Sequence, residues 1–417
     1  MALSSKYSTL PLRSPVLLVR FLYDFLRDVH RSGKSVELLS FIIWEVQHRL
    51  RLAPRRKYVV ILPGASSSVA PDSTLVTDLP GVEEMPLAWK WLVISPEGRE
   101  WGVLHEGPEI LYYRPTAGSL PVRLLTFPGA IKSLHRCRSG VLFLASRGVI
   151  YRSDDGVSFE PVLSLASEIS WFLFNNGLAE LPDGGLLLGE YGSIWLGDRW
   201  QSIAYLYRSA DGGRTWEKID SLVRRGVNKH IHVVRYSETT KSLLLTDGDN
   251  HKKLWFNHSL SAFDRFARFL PGEGWKLVNQ LHLSKGGYTS AIDGRSTLLL
   301  GSDYMGGTNF IVRTRDGRRF DSRILPDPYR RAPIMNMVRI DTVQGPEIWA
   351  SAYYSIGGTN RCVLLYTRDD GETWHRFLDY DGSIFAAELV SQSPGRVSYF
   401  YLTITGPSGS KTFRISR

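Results

Sequence analysis

His230-Ile231-His232 is the most chemically specific constellation in the chain. It sits in a strand-like run, and alternation along a strand would put both imidazoles on the same side. Such a pair suits a general base, a substrate clamp or half of a metal site. Two satisfied core histidines are the bland alternative. Asp247 and Asp249 fall on the next strand of the same unit. A metal would need two further ligands, and Asp249, His251 and Glu190 could serve. No spacing forces one, so neither metal nor cofactor is expected.

Other polar residues recur at one kind of position, the end of a leucine-rich run. Residues 186–189 lead into Glu190 and Tyr191, 298–301 into Asp303 and Tyr304, 348–350 into Tyr353 and Tyr354, and 141–144 into Arg147. Asn176 and Asn336 stand where other short apolar runs begin. Glu190 is the best carboxylate acid or base, with a neighbourly salt bridge as its alternative. The tyrosines could stack on sugar faces or carry a proton, with rim packing as theirs.

The elements that would hold these residues are short strands. The chain has 417 residues, 43% hydrophobic and 22% charged, which excludes a disordered chain. Aromatics and 38 glycines indicate many strands and tight turns. Two cysteines make no disulfide framework. No apolar run is long enough for a membrane span. The net charge of +10 is uneven: residues 1–57 hold eleven Lys/Arg against four Asp/Glu, and the rest is nearly neutral. With a neutral body and no P-loop, dinucleotide fingerprint or zinc Cys pairs, nucleic acid is not an expected partner.

The basic segment 1–56 reads as an appendage. From Pro15, polar residues Arg20, Asp24, Arg27, Asp28 and Arg31 fall on one stripe of a helix. Gly33 ends it, and a second helix runs from about 36 to 52, stopped by Pro54. Arg20 and Asp24 interrupt any signal-peptide apolar core, so a cytoplasmic location is expected. The hairpin either packs on the body or lies, through residues 1–57, on an anionic membrane surface.

Four segments repeat. They are Ser153-Asp154-Asp155-Gly156, Ser209-Ala210-Asp211-Gly212-Gly213-Arg214-Thr215-Trp216, Thr314-Arg315-Asp316-Gly317 and Thr367-Arg368-Asp369-Asp370-Gly371-Glu372-Thr373-Trp374. Each follows a short apolar strand. The Asp can accept backbone N–H groups within a turn, and Gly supplies positive φ. This pattern resembles the Asp-box (BNR) repeat of sialidase-like β-propellers, and its spacing near 55 residues or multiples agrees. The resemblance implies an all-β, seven-bladed propeller of four-stranded antiparallel blades over 57–417, with six blades as the alternative. Blades fall near 89–127, 130–166, 171–222, 230–270, 275–326, 333–379 and 383–417. The last supplies three strands, and 57–62 is expected to close the ring as its fourth.

In such a propeller the polar run-ends and the starts of the inner strands converge on one mouth. The resemblance therefore makes His230, His232, Glu190 and Tyr304 the catalytic candidates. Arg147, Asn176, Tyr191, Asp249, Asp303, Asn336, Tyr353 and Tyr354 become candidates for substrate binding. A polar mouth suits a hydroxyl-rich ligand. True sialidases carry an Arg-Ile-Pro signature and an arginine triad, and both are missing here; Tyr113-Arg114-Pro115 is a faint echo. The expected function is a glycoside hydrolase or polysaccharide lyase acting on an acidic saccharide. The alternative is a non-catalytic propeller that binds a glycan or a protein.

Overall fold

A computed structural model of the protein describes residues 14–31, 35–64, 79–197, 200–225, 229–247, 253–267, 272–278, 287–304, 307–353 and 361–417. The repeated Asp–Gly segments each close a hairpin. Asp155 Oδ1 accepts the Val157 and Ser158 N–H groups at 2.8 Å, and Asp211 Oδ1 those of Arg214 and Thr215 at 3.0 Å. Asp316 does the same with Arg318 and Arg319, and Asp369 accepts the Thr373 N–H. One hydroxyl before each Asp, from Ser153, Ser209, Thr314 or Thr367, accepts the glycine N–H. Gly213 adopts φ of 85°, and a Cβ there would lie 2.3 Å from Phe143 of the preceding blade. The turn thus needs a glycine for its conformation and for contact between blades.

Those turns join the third and fourth strands in four of seven radial sheets. From the axis outward, blade 1 holds Trp89–Ile94, Glu100–Leu104, Ile110–Arg114 and Val122–Thr126. Blade 2 holds Ile131–Arg136, Leu142–Ser146, Val149–Ser153 and Glu160–Ser164. Blade 3 holds Leu178–Glu180, Leu186–Gly189, Leu206–Ser209 and Glu217–Ile219. Blade 4 holds Ile231–Ser237, Ser242–Asp247, Leu254–Asn257 and Trp275–Leu277. Blade 5 holds Tyr288–Asp293, Leu298–Ser302, Phe310–Thr314 and Phe320–Ile324. Blade 6 holds Ile334–Thr342, Gly345–Ala352, Arg361–Thr367 and Thr373–Asp381. Blade 7 holds Ala386–Leu389, Tyr399–Gly406 and Gly409–Ser416, with Val82–Glu84 outermost. Within the blades these strands pair antiparallel. The fold is a seven-bladed β-propeller. Its second strands are buried on both faces, which is why their leucines run without alternation.

Three boundaries differ from the sequence expectation. The ring is closed by Val82–Glu84, antiparallel to Gly409–Ser416, and not by 57–62. This outer strand is solvated, so charge pairs secure it: Glu83 with Arg414, and Glu84 with Lys411. The apolar Val60–Leu62 instead adds a parallel fifth strand outside blade 6. Trp275–Leu277 belongs to blade 4, where Trp275 stacks on Phe266 at 5.7 Å and donates to Phe263 O. Blade 5 accordingly begins at Tyr288 rather than 275. Blade 3's inner strand begins at Leu178, because the residues before it turn into the channel.

Two helices precede the ring, α1 (Pro15–Arg31) and α2 (Ser35–Arg49). Glu45 of α2 pairs with Arg330, and His48 bonds Asp327 at 2.6 Å and the Tyr58 hydroxyl at 3.0 Å. Residues 325–333 connect blades 5 and 6. The hairpin therefore docks on the face where inner strands begin, here called the upper face.

Candidate functional site

The channel along the axis is blocked midway. Asn175, in the left-handed region at φ of 69°, points its amide across the axis. Its Nδ2 donates to Asn336 Oδ1 at 3.2 Å and to Ser391 O at 3.4 Å. Asn176 donates to Thr289 O at 3.2 Å and accepts the Ala291 N–H at 3.3 Å. Phe174 stacks on Trp91 at 4.5 Å. Blade 3 is thereby tied to blades 5 and 6, and to blade 1 both directly and through Ser391–Gln392, which pairs with Trp89–Ile94, leaving two separate mouths. Asn176 and Asn336, expected as ligand contacts, spend their amides on this plug; Asn336 Nδ2 donates to Leu389 O.

At the upper mouth, His230 and His232 do lie together, with Nε2 atoms 3.0 Å apart. His230 Nδ1 contacts Gly192 O, so it must carry the proton, and its Nε2 then accepts from His232. Both rings are almost fully buried. Tyr191 lies over His230 at 4.1 Å and His232 at 5.6 Å, and Trp171 packs on Tyr191 at 4.9 Å. The pair lies beneath an aromatic shelf, its Nε2 atoms turned toward each other.

A second group faces it. The Tyr353 hydroxyl donates to Glu388 Oε1 at 2.8 Å. Burial, followed by the charges of Glu388 and Asp303, pushes the Tyr353 phenol well above its ordinary pKa. Burial, reinforced by Lys132, holds the Lys90 ammonium below its usual range, while Glu388 opposes this. Burial likewise lowers His105. Lys132 Nζ lies 5.5 Å from the Trp171 ring centroid. This lysine bridges the two groups.

Other expected residues stand apart. Glu190 is completely buried between blades, where it accepts the Tyr207 hydroxyl at 2.7 Å and the Ala166 N–H at 3.0 Å. Burial raises its pKa. Arg147 is on the exposed rim, paired with Glu168 at 2.8 Å. Tyr304 sits in a loop whose backbone is clasped by Asn309 at 2.8 and 2.9 Å. Asp303 neighbours Tyr353, while Asp249 and Tyr354 lie outside the described residues.

Lys90, Lys132 and Glu388 escaped the sequence reading. Their signal is a lone charge within the inner strands Trp89–Ile94 and Ala386–Leu389, and one of two charges, with Arg136, within Ile131–Arg136. Among the described residues no cluster of three or more His, Cys, Asp or Glu could hold a metal ion.

Comparison with solved structures finds similar propellers at low identity. The virginiamycin B lyase of Staphylococcus aureus aligns at TM-score 0.55 and 13% identity, over 81% of this chain and 99% of its own. A streptogramin B lyase gives 0.54 and 12%, over 80% and 97%. YCF48 bound to D1 peptide gives 0.51 and 13%, over 86% and 99%. No family model matches the chain, nor does any curated protein. At these identities the likeness concerns the fold.

Proposed function

We propose that the upper mouth binds an acidic saccharide and cleaves it by elimination. The observation that carries this reading is Lys90 and Lys132 on adjacent inner strands, beside the hydrogen-bonded Tyr353–Glu388 pair. Two ammonium groups suit a uronate carboxylate, and neutralising it acidifies the adjacent C–H. Trp171 and Tyr191 give a sugar ring an aromatic face. In the step, Tyr353 Oη takes the C–H proton while its own proton passes to Glu388. The C–H electron pair becomes the C=C bond, the glycosidic C–O bond breaks, and the departing oxygen takes a proton from solvent. Propellers with little sequence similarity include lyases, which makes the fold compatible with such chemistry. The test incubates the protein with acidic oligosaccharides and follows ultraviolet absorbance of unsaturated uronates together with reducing ends. Absorbance that is lost in Tyr353→Phe supports elimination. New reducing ends without absorbance mean hydrolysis, and neither signal with any substrate means a binding module.

We also propose that the helical hairpin rests on an anionic membrane surface. In α1, Val16, Val19 and Tyr23 are 77%, 67% and 66% exposed, and Leu22 and Leu26 extend the same face. Arg20, Arg27 and Arg31 border it. An apolar face flanked by cations fits the interface of anionic lipid. Co-sedimentation with phosphatidylserine vesicles, lost in Val19→Glu/Tyr23→Glu, is the expected result. Equal recovery with and without vesicles would sink it, and dimerisation through this face is the competing outcome.

A further inference from the structure

The opposite mouth, where inner strands end, opens into a cavity of about 390 Å3 whose floor is Asn175 of the plug. Four buried polar atoms of its lining lack a hydrogen-bond partner: Arg235 Nε, Arg136 Nε, Asn175 Oδ1 and Gln392 Oε1. Such groups are rarely left unsatisfied, and four around one cavity indicate that something else meets them. They are also of mixed kind, two donors and two acceptors.

Charge narrows the choice. Every carboxylate at this mouth is occupied. Glu180 and Glu238 both take Arg138, at 3.2 and 2.9 Å, and Asp341 takes Arg339 and Arg396, at 3.2 and 3.4 Å. Asp293 accepts the Ser237 hydroxyl and the Thr239 N–H. Arg235, recessed on the inner strand of blade 4, forms no ion pair among the described residues. His135 faces it from blade 2. Its Nδ1 accepts from Gln392 Nε2 at 2.7 Å, which leaves Nε2–H as a further donor. Burial, then Arg235, pushes the His135 pKa down to about 3, so the ring is neutral at ordinary pH. Asp293 is the carboxylate whose charge reaches Arg235, and without an ion pair between them an anion here would still find the guanidinium's Nε–H open.

We propose that this lower cavity is a second ligand site, which takes a hydroxylated monocarboxylate the size of a single sugar acid. Its carboxylate would face Arg235 and His135, and its hydroxyls would donate to Asn175 Oδ1 and Gln392 Oε1. The floor stops a polymer from threading, so the ligand is a monomer or a chain end. A charged guanidinium–carboxylate contact in a recessed site is worth about tenfold or more in affinity. The site is physically separate from the upper mouth and stands or falls independently of the elimination reading.

The test is calorimetric titration of the full chain with D-glucuronate, D-glucose and cyclohexanecarboxylate. Glucuronate is expected to bind at least about tenfold more tightly than either control, since only it carries both kinds of group. Arg235→Gln, with an unchanged melting temperature, should lose that margin, and Lys90→Gln/Lys132→Gln should keep it. Should Arg235→Gln melt early, Gln392→Leu replaces it. Imidazole NMR supplies a second reading: a bound carboxylate raises the His135 pKa from about 3. Equal affinity for cyclohexanecarboxylate, unchanged binding in Arg235→Gln, or a His135 resonance indifferent to glucuronate would each overturn the proposal.

Discussion

Asn175 of blade 3 and Asn336 of blade 6 join hands across the propeller axis, amide to carbonyl at 3.2 Å. The contact divides a channel that would otherwise run through the molecule. The two mouths can therefore differ in chemistry: a lysine pair with a tyrosine–glutamate pair above, and an arginine with neutral histidine below. The plug also explains why blade 3 has a three-residue inner strand, since the preceding residues are spent in the channel.

The plug makes a prediction of its own. Asn175→Ala places a Cβ residue without Asn's local hydrogen bonding at positive φ and deletes two hydrogen bonds. The expected loss is roughly 1–3 kcal/mol by chemical denaturation. Asn175→Gly, which removes the bonds but tolerates the conformation, should lose less. Equal losses in the two variants would show that backbone conformation contributes nothing.

The hairpin turns predict an acid limit. Hydrogen bonds from the Ser158 and Val157 backbone hold the Asp155 carboxyl down at about 2, and Arg313 with Arg323 holds Glu372 at about 2. A carboxylate depressed in the folded state stabilises it above its unfolded pKa, near 4, and the benefit disappears as pH falls from about 4 to 2. Melting temperature should fall through that window. Asp155→Asn should start lower at pH 7 and show a shallower acid slope; a parallel pH profile would refute the assignment.

Much of this fold was legible because its punctuation is local. An Asp accepting N–H groups two to four residues on, beside a positive-φ glycine, is written within eight residues, and four copies set the blade period. The unalternating leucine runs 186–188, 243–245 and 298–300 marked second strands for the same reason. Closure was not legible: Val82–Glu84 is short, solvated and held by cross-strand charges, so it has no apolar signature. The site was legible only in part. The His-x-His spacing pointed to a pair, yet the strand begins only at Ile231 and its register shifts at His232, and the stacking under Tyr191 depends on a blade 3 residue. Lys90, Lys132 and Glu388 are single charges distant in sequence, and only ring geometry gathers them.

The upper mouth predicts an alkaline limit for ligand binding. Lys90 must be protonated to meet a carboxylate, and burial with the repulsion of Lys132 lowers its pKa from 10.5. Affinity for an acidic oligosaccharide should therefore decline at a pH below that of a free lysine. Lys132→Met removes a like charge, so it should weaken binding at pH 7 and move the alkaline decline upward. Titration calorimetry from pH 7 to 10.5 decides, and an unmoved decline would mean that the two lysines do not share a site.

The hairpin's attachment rests on Glu45 and Arg330, both nearly buried, where His48–Asp327 adds a second contact. Removing Glu45 leaves Arg330 with the more exposed Asp327, at 3.3 Å, and should cost up to about 3 kcal/mol. Arg330 also donates to Thr308 Oγ1 at 2.8 Å, so in Glu45→Ala the guanidinium still holds the upper loop of blade 5. Glu45→Ala should therefore release α2 without unfolding the ring. Protease should cleave α2 in the variant at concentrations that spare the wild type, while the seven-bladed body keeps its melting transition. Arg330→Met combined with Glu45→Leu replaces the pair by apolar groups and should restore protection. Rapid cleavage in that double variant would place the attachment in other contacts of the hairpin.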